Sequence, residues 1–304
     1  MQPIRLDQFL SRELANETRS TVQRLIEGGN VLVDGKKQRP SLKLKGGERI
    51  SVVIPPVVPA DTLAEDIPLE VLYEDRDVIV INKPAGMVVH PAAGNSSGTL
   101  VNALLAHCTD LSGIGGEMRP GIVHRLDKGT SGVMLAAKND LAHQALSKQF
   151  ATHSIKRIYQ ALIFGNPAEE TGKIEGTIGR HPIDRLRRSG TARHGKHAVT
   201  RWRVKERYDR ISLVEVRLET GRTHQIRVHL TEAGFPLLGD PLYPDGGRVN
   251  NLKDPVLRKL INNFGRQALH AATLGFIHPT TQTYMEFTTD LPEDMQKLLE
   301  YLRK

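Results

Sequence analysis

The sequence predicts an α+β protein in which a small, basic α/β domain precedes a large domain with a mixed, largely antiparallel sheet. Two observations predict the large domain: apolar segments of strand length alternate with a few helical patterns, and no periodic repeat interrupts them. A third observation separates the domains, because a proline-rich, acidic stretch lies between them. We therefore expect domains at residues 1–56 and 69–304, joined by a linker at residues 57–68.

The first domain carries the patterns of two helices and a hairpin. Apolar residues recur at helical spacing near its start, and Ser20-Thr21 is suited to cap a second helix that ends at Gly28-Gly29. The segment NVLVDGKKQ predicts a strand entering an Asp-Gly turn, and GGERISVVI predicts a later strand. Residues 1–54 contain ten lysines and arginines against six acids, which is half of the chain's net charge of +8. This excess favours a polyanionic partner, most simply nucleic acid.

Several protein classes are excluded by composition. No stretch approaches the roughly 18 apolar residues of a membrane span. The first residues, MQPIRLDQFLSREL, lack the apolar region of a secretory signal. A single cysteine, Cys108, cannot form an internal disulfide. We therefore expect a cytoplasmic monomer with no membrane partner.

The large domain has recognisable elements before any function is considered. We expect strands and helices in this order: two strands in LEVLYEDRDVIVINKP, a strand at 133–137, a helix at 140–151, a strand in RIYQALIFG, two strands within 199–218, and a helix that follows TGRT and ends at Gly234.

The stretch GIVHRLDKGTSG, residues 121–132, places a His, an Arg, an Asp and a Lys within five positions between strand-like segments. Loops held by a rigid sheet are where catalytic side chains tend to lie. The carboxylate of Asp127 is suited to act as a nucleophile, a base or an anchor. Its commoner use in such a place is to close a turn through its own side chain. The stretch alone therefore leaves both interpretations open.

Further segments extend the pattern along the chain. Together with HRLDKGTSG, they resemble the motifs of the RluA/RluD-type family of RNA pseudouridine synthases, almost end to end. Residues 1–54 resemble the S4-like RNA-binding domain that many members of this family carry at their N-terminus. One departure is Gly129, where the family more often has an acidic residue, and we expect it to affect loop stiffness rather than chemistry. The further segments are INKPAGMVVHP (81–91), KRIYQALIFG (156–165), TGRTHQIRVH (220–229), GFPLLGDPLY (234–243) and LHAATLGFIHP (269–279).

The resemblance implies an enzyme that breaks the N-glycosidic bond of a uridine in RNA and rejoins the uracil through its C5. It assigns the catalytic carboxylate to Asp127, which attacks C1′, adds to the base, or promotes a glycal route. It assigns the cationic partner that keeps this carboxylate ionised to Arg227, with Arg222 as the second choice. It assigns base stacking or proton transfer to Tyr159. No electron is transferred, so we expect no cofactor.

Other residues near the motif have roles outside the chemical step. Because the uridine must leave its stack, we expect the planar cation of Arg125 to fill the gap. His124 is expected to contact backbone or support the loop. The predicted RNA-binding residues are Arg19, Arg24, Lys36, Lys37, Arg222 and His224, with the basic segment 180–208 as an additional surface.

Each assignment has an ordinary alternative. Tyr159 also fits a core aromatic of a strand, Arg227 a phosphate clamp on a helix surface or a plain salt bridge, and His124 a structural histidine. For segment 180–208 the alternative is a solvated face of a basic sheet.

Other functional classes compete less well. DKGT resembles an aspartyl-phosphate motif, but the spacing is one residue short and no acidic cluster follows. No set of Cys and carboxylates completes a zinc site around the histidines, so we expect no metal. A non-catalytic RNA-binding assembly factor is opposed by the joint presence of Asp127, Tyr159 and Arg227, and a small acidic substrate by the basic first domain. Structured RNA is therefore the expected partner. The family resemblance implies large-subunit ribosomal RNA as the first choice of substrate and transfer RNA as the second.

Overall fold

The computed structural model divides the chain into two compact units, Met1–Pro59 and Ala60–Lys304. Half of the predicted linker, residues 57–62, lies outside the described residues, so its boundaries stay a prediction. The structure describes residues 4–14, 19–54, 63–91, 94–108, 121–184, 186–192 and 194–304.

The first unit packs two helices on short strands around a small apolar core. Gly29 (φ +80°) ends the second helix, and the Asp34-Gly35 turn (φ +50° and +74°) joins two strands, as the sequence predicts. Strand β1 pairs with β4, and β2 lies between β3 and β5. The elements are β1 (Ile4–Arg5), α1 (Leu6–Glu13), α2 (Arg19–Glu27), β2 (Val31–Val33), β3 (Lys36–Lys37), β4 (Lys43–Leu44) and β5 (Ile50–Val52).

The second unit contains all the segments that carry the proposed chemistry. Its elements are β6 (Val71–Glu74), β7 (Val78–Lys83), α3 (Leu100–His107), β8 (Ser131–Ala137), α4 (Asp140–Ala151), β9 (Lys156–Phe164), β10 (Thr171–Arg180), β11 (Arg188–Ser189), β12 (Lys196–Arg207), β13 (Ile211–Leu218), α5 (Gln225–Glu232), a 3₁₀ turn (Val249–Asn251), α6 (Pro255–Asn262), β14 (Leu269–Ile277), β15 (Tyr284–Thr288) and α7 (Glu293–Leu302).

These strands form one ten-stranded sheet. Nine strands follow the order β11-β10-β12-β13-β9-β14-β8-β7-β6, and β15 pairs with β14 off this path. The pair β14–β8 is parallel. The other pairs recorded among the described residues of this sheet are antiparallel. The predicted mixed, largely antiparallel sheet is therefore confirmed.

Strand β8 shows why the centre of the sheet is rigid. All seven of its residues are buried, because helices cover both of its faces. Met134 packs in the same apolar cluster as residues of α3 and α5, whereas Leu135 packs with Leu146 of α4. The loop that precedes β8 therefore starts from a strand that is fixed on both sides.

Candidate active site

A cavity of about 420 Å³ opens at the end of this central part of the sheet. Its size lies within the roughly 300–1,000 Å³ that small-molecule pockets span. Four segments line it: the loop before β8, the end of α4, the start of β9 and the turn that leads into α5. These segments lie far apart in the sequence, and three of them carry motifs that the sequence analysis singled out.

Asp127 lies in a closed turn at the wall of this cavity. The N–H of Thr130 donates to the carbonyl oxygen of Asp127 at 3.0 Å. The N–H of Gly86, which follows the end of β7, donates to the carbonyl oxygen of Lys128 at 2.8 Å. The INKPAG segment thus supports the HRLDKGTSG loop directly. The backbone forms the turn, so the carboxylate of Asp127 is left for other partners.

Lys83 anchors the INKPAG side of this contact. Its side chain is fully buried, and its ammonium donates to the carbonyl oxygens of Pro84 at 2.7 Å and Met87 at 2.9 Å. Burial lowers the pKa of Lys83 to about 8, and the charge of Asp127 opposes this shift without cancelling it. Lys83 therefore acts as a buried support beneath the loop.

The loop is also held from the segment before β14. Nη1 of Arg266 donates to the carbonyl oxygen of Gly129 at 3.0 Å, and Nε2 of Gln267 donates to the hydroxyl of Thr130 at 2.9 Å. A Cβ on Gly129 would lie 2.5 Å from Oε1 of Gln267. Gly129 does not have a positive φ, and the expectation that it affects loop stiffness stays a prediction. Any residue with a Cβ at this position would require the Gln267 side chain to move.

Arg227 joins two carboxylates from inside α5. Its Nη1 donates to Oδ2 of Asp127 at 3.0 Å, and its Nε and Nη2 donate to the two oxygens of Asp240 at 2.7 and 2.8 Å. Asp240 also accepts the N–H groups of Leu242 and Tyr243. Burial acts to lower the pKa of Arg227, but Asp240 and Asp127 outweigh it and raise that pKa. Arg227 is therefore a buried, fixed cation facing Asp127, not a residue of the helix surface.

His224 and Tyr243 form a second contact to the same carboxylate. Nε2 of His224 lies 3.9 Å from Oδ1 of Asp127, and its Nδ1 lies 2.9 Å from the hydroxyl of Tyr243. That hydroxyl accepts the N–H of Arg188 at 2.7 Å, so its own proton is available to Nδ1 of His224. Burial lowers the pKa of His224 despite the charge of Asp127, which favours a neutral ring with its proton on Nε2, toward Asp127.

Tyr159 faces the cavity from β9 and also belongs to the main apolar cluster. Only 8 % of its surface is exposed. Burial raises the pKa of Tyr159, and the nearby charge of Asp127 adds to this shift, so the hydroxyl stays protonated at neutral pH. Tyr159 therefore lines the cavity and is at the same time an aromatic residue of the apolar core.

His124 and Arg125 occupy different positions although they are adjacent. Nε2 of His124 accepts the N–H of Leu135 at 3.0 Å, and its ring stacks on Phe150 with centroids 4.6 Å apart. Burial, with the charge of Arg157, lowers the pKa of His124 to about 3, so the ring is neutral. Arg125 is exposed at the cavity wall.

The predicted RNA-binding residues do not form one group. Arg222 and His224 line the cavity, and Nε of Arg222 donates to the carbonyl oxygen of His197 at 3.0 Å. Lys36 and Lys37 are exposed on β3 of the first unit. The side chains of Arg19 and Arg24 lie outside the described residues.

Sequence reasoning missed three residues that shape the site. Asp240 lies in the quoted segment GFPLLGDPLY, but nothing in that segment marks its partner. Gln225 is buried and ties the turn to β12, because its amide accepts from Thr220 and Arg222 and donates to Val199. Arg157 lies in KRIYQALIFG, two positions before Tyr159, and period-2 alternation along a strand was a signal that both share one face.

Two groups of possible metal ligands lie outside the cavity, which differs from the expectation that no such set exists. They are Glu74 with His107 and Cys108, and Asp75 with Asp77 and His278. Each group is already tied together by hydrogen bonds of its own, such as His278 to Asp75 at 2.8 Å and His107 to Glu74 at 2.8 Å. Among the described residues, no helix is long and apolar enough to cross a membrane.

Comparisons with known proteins agree with this geometry. Residues 77–232 match the RNA pseudouridylate synthase family, and residues 4–50 match the S4 domain. A Bacillus subtilis protein named an uncharacterized RNA pseudouridine synthase is 49 % identical, over 99 % of this chain and 94 % of its own length. A Zymomonas mobilis protein named ribosomal large subunit pseudouridine synthase D is 47 % identical, over 98 % and 93 %. The solved structure of human RNA pseudouridylate synthase domain containing 4 superposes with a TM-score of 0.60 at 28 % identity, covering 77 % of this chain and 93 % of that one.

Proposed function

Because this chain belongs to the RNA pseudouridylate synthase family, we propose that it isomerises specific uridines of large-subunit ribosomal RNA with Asp127 as its catalytic residue. The observation that carries this proposal is the ion pair at 3.0 Å between Asp127 and the buried Arg227. Arg227 itself is fixed by Asp240, so the pair is set before a substrate arrives. Such preorganised charge is the largest single contribution in many enzymes.

The chemistry asks for one ionised carboxylate next to the sugar and base of a uridine. Arg227 donates a charge-assisted hydrogen bond to Asp127 at 3.0 Å and fixes the direction of its carboxylate. The reaction breaks the N-glycosidic bond, turns the uracil and forms a new bond to C5. Because the oxidation state does not change, side chains of the kinds found in the cavity are sufficient for these steps. Tyr159 supplies a ring that can stack on the base and a hydroxyl that remains protonated.

Access to the cavity is the second part of the proposal. A uridine in folded RNA must leave its stack before Asp127 can reach its sugar. Arg125 is the exposed, planar cation beside the catalytic loop, and we assign it the position that the base vacates. His124, which is neutral and bonded to the backbone of β8, supports the loop rather than the chemistry.

Substrate choice rests on the relatives and on the first domain. Three of the relatives are named for the large ribosomal subunit, and the S4 match lies within the predicted RNA-binding domain at residues 1–56. Transfer RNA is the second candidate. We expect the chain to act as a monomer in the cytoplasm, and light scattering of the purified protein tests the first part.

The decisive experiment measures tritium released from RNA labelled with [5-³H]uridine, because forming the bond to C5 expels that hydrogen. Large-subunit ribosomal transcripts and bulk transfer RNA are offered to the wild type, Asp127→Asn and the surface control Asp209→Asn, whose side chain is 96 % exposed. We expect release by the wild type and the control, and a loss of at least about 10³-fold in Asp127→Asn. Tight RNA binding without release by the wild type would favour the non-catalytic assembly factor.

Removing residues 1–54 tests the role of the first domain. We expect lower affinity or poorer site choice on ribosomal RNA, because half of the net charge is lost with these residues. The catalytic unit should keep its far-ultraviolet circular dichroism. Full rate and full selectivity in the truncated protein would show that the domain does not bind the substrate.

A further inference from the structure

Arg157 is a buried cation in the cavity that the proposed chemistry does not use. It lies on β9, on the same face as Tyr159, and only 7 % of its surface is exposed. Its guanidinium carbon lies 5.9 Å from the centroid of the Phe150 ring. Its Nε and Nη2 atoms are buried and have no hydrogen-bond partner. Leaving a buried, charged donor unpaired is costly, so such a group in a cavity points to a ligand.

The unpartnered atoms form one edge of the guanidinium. It is the same edge, Nε with Nη2, with which Arg227 binds both oxygens of Asp240. This planar fork matches two oxygens of one carboxylate or phosphate. A neutral uracil carbonyl would have to accept both hydrogen bonds at one oxygen, whereas a carboxylate or phosphate offers a separate, charged oxygen to each donor. The geometry therefore favours an oxyanion over a base.

The charged groups around Arg157 also favour an anionic ligand. Among the described residues, no recorded ion pair joins Arg157 to a carboxylate. The charged groups that act on it and on its neighbour His153 include Arg222, and burial with these like charges lowers the pKa of His153. Gly221 makes room for the guanidinium, because a Cβ there would lie 2.5 Å from Nη1 of Arg157. Two neighbouring arginines, with no carboxylate of the described residues recorded in an ion pair with Arg157, favour an anionic ligand at this end of the cavity.

We propose that Arg157 is the anchor of a phosphate subsite, in which its Nε–Nη2 edge binds the phosphodiester next to the target uridine and Arg222 lies at the rim. This inference rests on the proposed function, since it names a group of the same RNA substrate. Arg157 is a binding residue here. It holds the nucleotide by its backbone, while Asp127 and Arg227 act on the sugar and base.

The test measures binding of small probes and requires no turnover. Wild-type protein labelled with ¹⁵N is titrated with uridine, uridine 5′-monophosphate, uridine 3′-monophosphate and inorganic phosphate, and the Nε–H resonance of Arg157 is followed. We expect this resonance to shift with one monophosphate, which binds about 10- to 100-fold more tightly than uridine, the range for hydrogen bonds to charged groups. Whether the 5′ or the 3′ compound does so identifies the phosphate.

Variants of Arg157 test the role of its Nε–Nη2 edge separately from the folding of the protein. Arg157→Gln should abolish the preference for the monophosphate, and Arg157→Lys should keep part of it, because an ammonium retains the charge but not the fork. Arg303→Gln, which breaks an exposed ion pair with Glu206, is the matched control and should keep all of it. Because the resonance is read in the wild type, a variant that fails to fold does not remove the test.

Several outcomes would overturn the proposal: monophosphates that bind no better than uridine, a preference that survives in folded Arg157→Gln, or inorganic phosphate that binds as tightly as the nucleotide. The absence of any shift of the Arg157 resonance counts in the same way. Tritium release without a phosphate preference refutes the subsite alone. A phosphate preference without tritium release refutes the proposed isomerisation alone.

Discussion

Two buried arginines line this cavity, Arg227 on α5 and Arg157 on β9, and they have the same side-chain chemistry in different surroundings. Arg227 has every side of its guanidinium occupied, by Asp240 on one edge and by Asp127 at Nη1. Arg157 is equally buried, but its Nε–Nη2 edge has no partner. The paired arginine fixes the reacting carboxylate in advance, whereas the unpaired one retains binding capacity for a ligand. Burial alone therefore does not tell a structural arginine from a binding arginine; the partners of its donor edge do.

After the loss expected for Asp127→Asn, the largest effect is expected when the partner of Arg227 is removed at Asp240. Asp240→Asn removes the charge that fixes Arg227 and leaves a buried cation incompletely paired, which costs about 3–5 kcal/mol of unfolding free energy. Turnover should fall about 100-fold, because the Asp127–Arg227 pair loses its support. Chemical denaturation and single-turnover tritium release measure the two effects.

The matched control for Asp240→Asn is Glu206→Gln, which breaks the exposed pair with Arg303. It should change the unfolding free energy by less than about 1 kcal/mol. Equal effects of the two substitutions would mean that the buried Arg227–Asp240 pair stabilises the protein no more than the exposed Arg303–Glu206 pair does.

The next effect concerns Arg125, the most exposed of the four arginines that line the cavity. Arg125→Ala should slow turnover on folded RNA by about 10- to 100-fold, because unstacking a base costs a few kcal/mol that nothing then offsets. Bulk RNA binding should weaken much less, and an unstructured uridine-containing RNA should be affected less than a folded one. Filter binding beside tritium release measures this, with Arg303→Ala as control. Equal losses in binding and turnover would argue against a flipping role.

The last effect is a pH dependence of the unfolding free energy, which is spread over several pH units and comes from His124, a neighbour of Arg157. The pKa of His124 is held at about 3 in the folded protein, well below its ordinary value. As the pH falls from about 6.5 toward 3, the unfolded chain gains a proton at His124 that the folded chain does not. The unfolding free energy must therefore decrease, by up to about 1.4 kcal/mol per pH unit from this group.

Denaturation at several pH values tests this slope. His124→Gln should make it shallower, whereas Gln in place of the exposed His194 should leave it unchanged. Arg157→Gln should make the slope end at a slightly higher pH, because the folded-state pKa of His124 rises when one of the two causes of its lowering is removed. An identical slope in the wild type and His124→Gln would show that His124 titrates normally in the folded state.

Local pattern was sufficient for much of the fold. The helices at α1, α2, α4 and α5 and the strands at β7, β8 and β9 follow from apolar period and from the turn residues Gly29 and Gly234, both with positive φ. The segments that pattern left unassigned include β10, whose residues are mostly exposed and so lack a clear alternation. Its place is set by pairing with β12 rather than by its own sequence.

The site was less accessible to such reasoning. The contact between Asp127 and Arg227 joins residues 100 positions apart and was expected only from a family resemblance. The partner of Arg227 on its other edge, Asp240, has no marker in the sequence, because ion pairing across a fold depends on the fold. Conversely, the free edge of Arg157 is a property of what surrounds the side chain, and no residue type encodes it.

The close contact between Gly129 and Gln267 limits how this loop can be exchanged with those of other enzymes. An acidic residue grafted at position 129 would place its Cβ against the amide of Gln267, which in turn holds Thr130. Such a graft therefore requires the Gln267 side chain to move away from Thr130 or to be replaced by a smaller one. A loop exchange at position 129 thus has to be designed together with position 267, although 138 positions separate the two in the chain.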